Sequence, residues 1–236
     1  MSTSIAIILA RGGSKRIPGK NTVLIGGRPM LAWSIEAAFQ SEKFSRVLVS
    51  TDCERIADLA LKFGAEVPFL RNAAADDYSS SSDASLVALK QAEAYWGDNY
   101  HIVGQLMANC PLRSGNDIRL AVESFLESGA PSQISCFKFG WMNPWWAARL
   151  DHGRRPIKLF PEALTKRSQD LPDLFCPSGA FWMATTSAFK QHKTFYTPGH
   201  IFYEFNWMSA MDIDDQSDLY MAKACMELRE SGNLIF

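Results

Sequence analysis

Ser4-Ile-Ala-Ile-Ile-Leu-Ala10, running straight into Arg11-Gly-Gly-Ser-Lys-Arg-Ile-Pro-Gly-Lys20-Asn21, is the stretch whose reading decides the fold. Its first part is an unbroken apolar run rich in β-branched side chains. That is the pattern of a strand covered on both faces inside a parallel sheet, since an exposed face would demand alternation. Its second part replaces apolar residues by glycine, proline and four cations, Arg11, Lys15, Arg16 and Lys20, which marks a loop at the strand's carboxyl end. Loops at that end of a central strand are where open α/β sheets take their ligands.

Outward from this unit, Pro29 suits the first turn of a helix running to about Gln40. A second apolar strand, Arg46-Val-Leu-Val-Ser-Thr51, leads into a helix over residues 53–63, with Gly64 placed as its C-cap. Residues 67–70 read as a short strand. A polar loop then ends in the serines 79–82, and an amphipathic helix follows to about Trp96. Residues 101–107 form the next strand, and Ser114 or Gly115 opens a helix to Ser128. Strand and helix alternate, so the expected fold is α/β with a doubly wound sheet. The alternation stops over residues 139–177, where Trp141, Trp145, Trp146, several prolines and a basic stretch take over. This segment reads as an arm inserted in a single domain of residues 1–236, with its tryptophans marking an interface. Residues 179–184 return to strand, 205–211 read as another, and 214–230 as the closing helix.

A chain of 236 residues, 47% of them hydrophobic, can bury one sizeable core. Its 24 Lys+Arg balance 25 Asp+Glu, leaving a net charge of −1 and no general attraction to nucleic acid or anionic membranes. Any anion must therefore be held by a local cluster. The five cysteines are odd in number and show no C-x-x-C spacing. They read as reduced thiols of a cytoplasmic protein rather than a disulfide frame or a zinc site. The apolar run before Arg11 is too short for a signal-peptide core or a membrane span.

Four constellations carry chemistry. In the first loop, Gly12 and Gly13 let backbone N–H groups approach an anion, and the four cations suit a triphosphate. It is neither a Walker A loop nor G-x-G-x-x-G, and a solvated basic turn is the competing reading. In Met211-Asp-Ile-Asp-Asp215, Asp212 and Asp214 lie two apart, so in extended backbone their carboxylates point the same way. Two hard oxygen ligands beside a triphosphate suit Mg²⁺, whereas a helix cap at Asp214 or Asp215 is the alternative. Gln105-Leu-Met-Ala-Asn-Cys-Pro-Leu-Arg113 puts Gln105 and Arg113 where both can look into a cleft, or leaves Arg113 a surface charge. Lys166-Arg-Ser-Gln-Asp-Leu-Pro172 offers a guanidinium and an amide to a carboxylate and its neighbour, or is a solvated basic arm.

The combination resembles the cytidylyltransferases that activate sialic acids, the CMP-acylneuraminate synthetase family. The resemblance rests on I-L-A-R-G-G-S-K-R-I-P-G-K-N, V-S-T-D ending at Asp52, F-L-R ending at Arg71, the serine run, Q-L-M-A-N-C-P-L-R, R-S-Q-D-L-P, P-S-G-A and D-I-D. These come in the family's order over nearly the whole chain. The resemblance implies a three-layer, doubly wound mixed sheet of nucleotide-diphospho-sugar transferase type, with a small arm that exchanges across a homodimer. It implies that Arg11, Ser14, Lys15, Lys20 and Asn21 hold CTP, with Arg71 and one of Ser80, Ser81 and Ser82 near the cytosine. Gln105 and Arg167, with Gln169, match positions that hold the acidic sugar, and Asp212 and Asp214 match the Mg²⁺ carboxylates. Arg11, Lys20 and Asp214 are the implied catalytic set.

Three positions depart from the family pattern. Met107-Ala108-Asn109-Cys110 replaces its small-residue and threonine pattern, P-S-G-A stands where P-N-G-A is usual, and Asp215 stands where threonine is. The implied reaction joins CMP from CTP to a nonulosonic, sialic-acid-like sugar and releases pyrophosphate. Positioning and charge neutralisation then dominate, and none of the four histidines falls in a motif. The rivals are a nucleotidyltransferase for the eight-carbon acid KDO or another sugar, a nucleotide-binding module without catalysis, and a retaining glycosyltransferase with a D-x-D metal site.

Overall fold

The computed structural model describes residues 3–74 and 79–232. The opening run forms β1 (Ser4–Leu9), and its neighbours follow from burial on both faces: β2 (Arg46–Ser50) and β3 (Ile102–Met107) flank it in parallel. Beyond β3 the sheet continues through β5 (Phe175–Thr185), β4 (Ser132–Lys138) and β6 (Ile201–Glu204), giving the order β6-β4-β5-β3-β1-β2. Only β5 runs against the rest, so the sheet is mixed.

Helices cover both faces. Ala6, Ile8, Val47 and Val49 meet α1 (Met30–Gln40), α2 (Glu54–Lys62) and α4 (Gly115–Ser128) in one apolar cluster. On the opposite face Ile5, Ile7, Leu48 and Val103 meet α3 (Ser81–Trp96) and Phe189 of α5 (Thr186–His192). The three layers of the expected α/β architecture are present. The chain leaves β1 for β2 on one side and returns to β3 on the other, so the sheet's switch point lies between β1 and β3. There Leu9 pairs with Met107 at the strand ends.

The structure departs from the expected strands at three places. Residues 67–70 form no strand: pairing reaches only a single bridge from Leu48 to Glu66, and Pro68 has no N–H to continue it. Residues 205–211 turn instead of extending. Asn206 Oδ1 accepts from the Met208 amide and its carbonyl from Ala210, while Met208 and Met211 pack into a third cluster with Ile213. The strand on that edge is β6, just upstream. Strand β4 had no signal of its own, because Ser132, Gln133 and Ser135 are buried polar residues. Their partners are Phe195 O, Ala121 O and Ser178 O.

Residues 139–174 leave the main sheet and form a two-stranded hairpin, Ala148–Leu150 with Pro156–Lys158, among short 3₁₀ turns, whereas residues 175–177, expected in the arm, already belong to β5 and pair with β4. Trp141 on this arm is 85% exposed, Trp146 is also exposed, and Trp145 stacks edge-on against Phe160. The final helix α6 (Gln216–Glu230) packs Leu219, Ala222 and Met226 onto Ile17, Ile25 and Ile213. That contact carries the segment before α6 to the mouth of the first loop.

Candidate active site

Three adjoining cavities open at the carboxyl ends of β1 and β3. One of about 350 Å³ is lined by Arg11, Ser14, Lys15, Arg16, Lys20, Asn21 and Asp214 among others. A second of about 220 Å³ lies against Arg11, Arg71 and Ser79, Ser80 and Ser81. A third of about 230 Å³ is walled by Ser81, Gln105, Asn109, Gly179, Trp182, Asp212 and Asp214. Met107 lines all three, so they form one cleft around the end of β3.

The first loop is shaped by its glycines and braced from beneath. The Gly12 amide donates to Asp52 Oδ1 at 2.7 Å, and a Cβ at Gly12 would sit 2.9 Å from Cys53 Cβ. Gly19 takes φ 64°, a left-handed turn that starts the 3₁₀ turn Lys20–Thr22. Asn21 is buried and donates through Nδ2 to the Arg11 carbonyl at 3.0 Å. Arg71 is buried as well: its guanidinium donates to Ser50 O and Oγ, and burial holds its pKa below the usual arginine value. Ser80 caps α3 in a reciprocal box with Asp83, and Ser82 is buried, so Ser81 is the serine shared by two cavities.

The carboxylate pair is set up by α6. Asp215 is the N-cap, accepting from the Ser217 and Asp218 amides, while Asp218 Oδ2 accepts from the amides of Asp214 and Asp215. Capping thus falls to Asp215 and leaves the Asp214 side chain to Lys20 and Arg16, at 3.2 and 3.0 Å. Burial pushes the Asp214 carboxyl upward, but the two cations outweigh it and hold it below the usual value. Asp212 goes the other way. Burial raises its pKa, although Cys110 Sγ lies 2.6 Å from Oδ1 and the Gly179 amide donates to Oδ2 at 3.1 Å. Burial, followed by the Asp212 charge, also pushes the Cys110 thiol well up.

Arg113 is neither a cleft residue nor a surface charge. It is 2% exposed and joins β5 to α1, donating to Ala180 O and, at 2.8 Å, to Ser34 Oγ, which in turn donates to Met107 O. Gln105 is fully buried. Its Oε1 accepts from Ser85, and its Nε2 has no partner among the described residues. Asn109 donates through Nδ2 to Ile213 O at 3.1 Å, which fixes the amide's orientation and leaves Oδ1 without a partner among them. Gln105 and Asn109 thus wall one cavity beside Met107 and Trp182, with these two amide atoms buried behind its surface. Sequence reasoning marked Met107 and Asn109 only as departures from the family pattern and gave the sugar-site role to Gln105. Strand parity carried the signal for Met107, since residues two apart share a face.

Arg167 and Gln169 line none of the three cavities. Arg167 is exposed on the arm and pairs with Asp170 at 2.8 and 3.1 Å. Among the described residues no three His, Cys, Asp or Glu side chains converge as a metal cage, and no helix is long and apolar enough to cross a membrane. Two carboxylates facing one cavity do fit Mg²⁺, which keeps several waters and takes its remaining oxygens from phosphates.

A basic loop and a carboxylate pair meeting at the switch point of a three-layer α/β sheet are the parts of a nucleotidyltransferase. The sequence model of the family described as cytidylyltransferase matches residues 5–174, and the chain belongs to that family. It is 34% identical to a pseudaminic acid cytidylyltransferase of Campylobacter jejuni over 93% of this chain and 94% of that one. It is 32% identical to a CMP-N,N'-diacetyllegionaminic acid synthase of Legionella pneumophila, over 97% and 98%. Its fold is similar to that of a CMP:2-keto-3-deoxy-manno-octonic acid synthetase solved with CTP. The TM-score there is 0.70 at 17% identity, covering 97% of this chain and all of that one.

Proposed function

We propose that this protein transfers CMP from CTP to a nonulosonic acid and releases pyrophosphate. The observation that carries the reading is the single cleft in which the loop from Arg11 to Asn21 meets Asp212 and Asp214. The relatives named for pseudaminic and diacetyllegionaminic acid support this substrate class. Gln105 and Asn109 wall the third cavity, and the acylamino groups of such a sugar offer the carbonyl and N–H that amide side chains pair with.

In this reading Arg11, Ser14, Lys15, Lys20 and Asn21 bind the triphosphate and ribose, and Arg71 with Ser80, Ser81 or Ser82 borders the cytosine. The sugar's anomeric oxygen attacks the α-phosphorus, the bond to the β-phosphate breaks, and pyrophosphate leaves. Arg16 and Lys20, now neutralising Asp214, are the cations a triphosphate takes over. Asp212 and Asp214 would hold Mg²⁺, which would supply further charge neutralisation and lower the pKa of the attacking hydroxyl. No histidine lines the three cavities, so catalysis rests on position and charge.

The protein acts as a homodimer through the arm, and Arg167 with Gln169 serves the sugar site of the partner chain. The exposed Trp141, Leu150 and Ile157 support an interface, and the absence of Arg167 from its own cleft's lining supports its use across it. Five free cysteines suit the reducing cytoplasm. The test is pyrophosphate release with CTP, Mg²⁺ and a panel of acids. Release with N-acylated nonulosonic acids is expected. Equal rates with ATP, or with sugar 1-phosphates, refute the reading, and preference for KDO refutes its substrate.

A further inference from the structure

The two carboxylates of the cleft are held in different ways. Asp214 is half exposed and engages only long, flexible cations. Asp212 is gripped on both oxygens by short, rigid groups from distant parts of the chain. Cys110 Sγ, fully buried in the turn after β3, stands 2.6 Å from Oδ1, and the Gly179 amide of β5 stands 3.1 Å from Oδ2. A carboxylate has no proton to give at neutral pH, so the S–H and the N–H are the donors. Each oxygen then keeps a lone pair for the cleft, and the plane of the carboxylate is fixed.

We infer that Cys110 is a positioning residue for the divalent cation: its thiol, with the Gly179 amide, makes Asp212 a ligand already in place, while Asp214 is the ligand that rearranges. The inference rests on the metal-assisted reading given above. Hydrogen-bonded partners of ligating carboxylates fix ligand orientation before the ion arrives, and their loss costs about 10–100-fold in metal affinity or activity. Gly179 is the second jaw for a steric reason. A Cβ there would stand 2.9 Å from Met107 Cγ and 3.2 Å from Asp212 Oδ1, so any larger residue displaces the carboxylate or its neighbour.

The experiment is Mn²⁺ binding to the whole protein, followed by loss of the free ion's EPR signal, with and without CTP. It is paired with kcat and CTP KM across a Mg²⁺ series. Cys110→Ser keeps a donor and is expected within about threefold of wild type, whereas Cys110→Ala weakens Mn²⁺ about 10–100-fold. Raising Mg²⁺ restores kcat in the alanine variant. Gly179→Ala, which leaves the thiol in place, weakens Mn²⁺ as well. Should Cys110→Ala fail to fold, Cys110→Val fills the site without a donor and gives the same comparison. Equal Mn²⁺ affinity in wild type and the variant lacking a donor overturns the inference. If the wild type binds no Mn²⁺ in either state, the metal reading itself falls, and the inference falls with it.

Discussion

Lys20 Nζ stands 3.2 Å from Asp214 Oδ1 and 2.9 Å from the Ile213 carbonyl, tying the loop after the first strand to the segment before the last helix. Arg16 closes on the other oxygen of Asp214 at 3.0 Å. Half-exposed pairs of this kind contribute only about 0–1 kcal/mol to stability. Their value lies in where the charges are: two cations and a carboxylate face the same 350 Å³ cavity, around Met107.

Asp214→Ala and Asp215→Ala should fail in opposite ways. Asp214 makes no cap, so its loss is expected to remove turnover while leaving Tm nearly unchanged. Asp215 caps α6 through two amides, so its loss should cost about 0.5–2 kcal/mol of stability with kcat retained. Thermal melts beside pyrophosphate release check both. Normal kcat in Asp214→Ala would remove that residue from the reaction.

Arg113→Ala should be the most damaging of these substitutions to the fold. It removes a buried cation that holds Ala180 O and Ser34 Oγ, and it strips a countercharge from the neighbourhood of Asp212. Breaking such a buried arrangement costs about 3–5 kcal/mol, or roughly 6–20 °C in Tm for a chain of this size. Denaturant melts give the figure. A loss under about 1 kcal/mol would mean the guanidinium is dispensable.

Arg113 also shows why part of the site was hidden in the sequence. The first loop was legible because its glycines, cations and position after an apolar strand are all local. Asp212 and Asp214 were legible as an alternating pair before a helix, and the structure settled the competition for the cap by giving it to Asp215. Arg113, Asn109 and Cys110 act through Ala180, Ile213 and Asp212, partners 67, 104 and 102 residues away, and no local pattern reports such contacts. Strand β4 was missed for the same reason, since its buried serines and glutamine find their partners on other elements.

Asp212→Asn should stabilise the protein at neutral pH and abolish its activity. Burial raises the Asp212 pKa, so the folded state favours the protonated form more than the unfolded chain does. The stability this group contributes is full below the unfolded value of about 3.9 and is lost as pH rises through the folded pKa. Asparagine stays neutral throughout, and it can donate to Cys110 Sγ while accepting from the Gly179 amide. Its Tm should therefore exceed the wild type's at pH 7, with the gap closing as pH falls towards 4. A constant gap, or a lower Tm at neutral pH, would contradict the raised pKa.

Arg167 gives the sharpest test of the arm. The side chain is 73% exposed, is paired only with Asp170 three residues on, and lines none of the cleft's cavities. If it binds the sugar carboxylate of the partner chain, Arg167→Ala should raise KM for the acid by an amount worth about 2–5 kcal/mol and leave KM for CTP unchanged. Arg167→Lys keeps the charge without the planar fork and should rescue only part of the loss. Mixing then separates an arm acting across the dimer from one acting on its own chain. Arg167→Ala and Asp214→Ala proteins are each inactive at a limiting concentration of the acid. After subunit exchange, half of the dimers are mixed, and each mixed dimer joins an intact cleft to an intact arm at one of its two sites. Recovery of about a quarter of wild-type activity is expected for a symmetric dimer. An arm serving its own cleft predicts no recovery at all, and a solvated arm predicts that Arg167→Ala never loses activity to begin with.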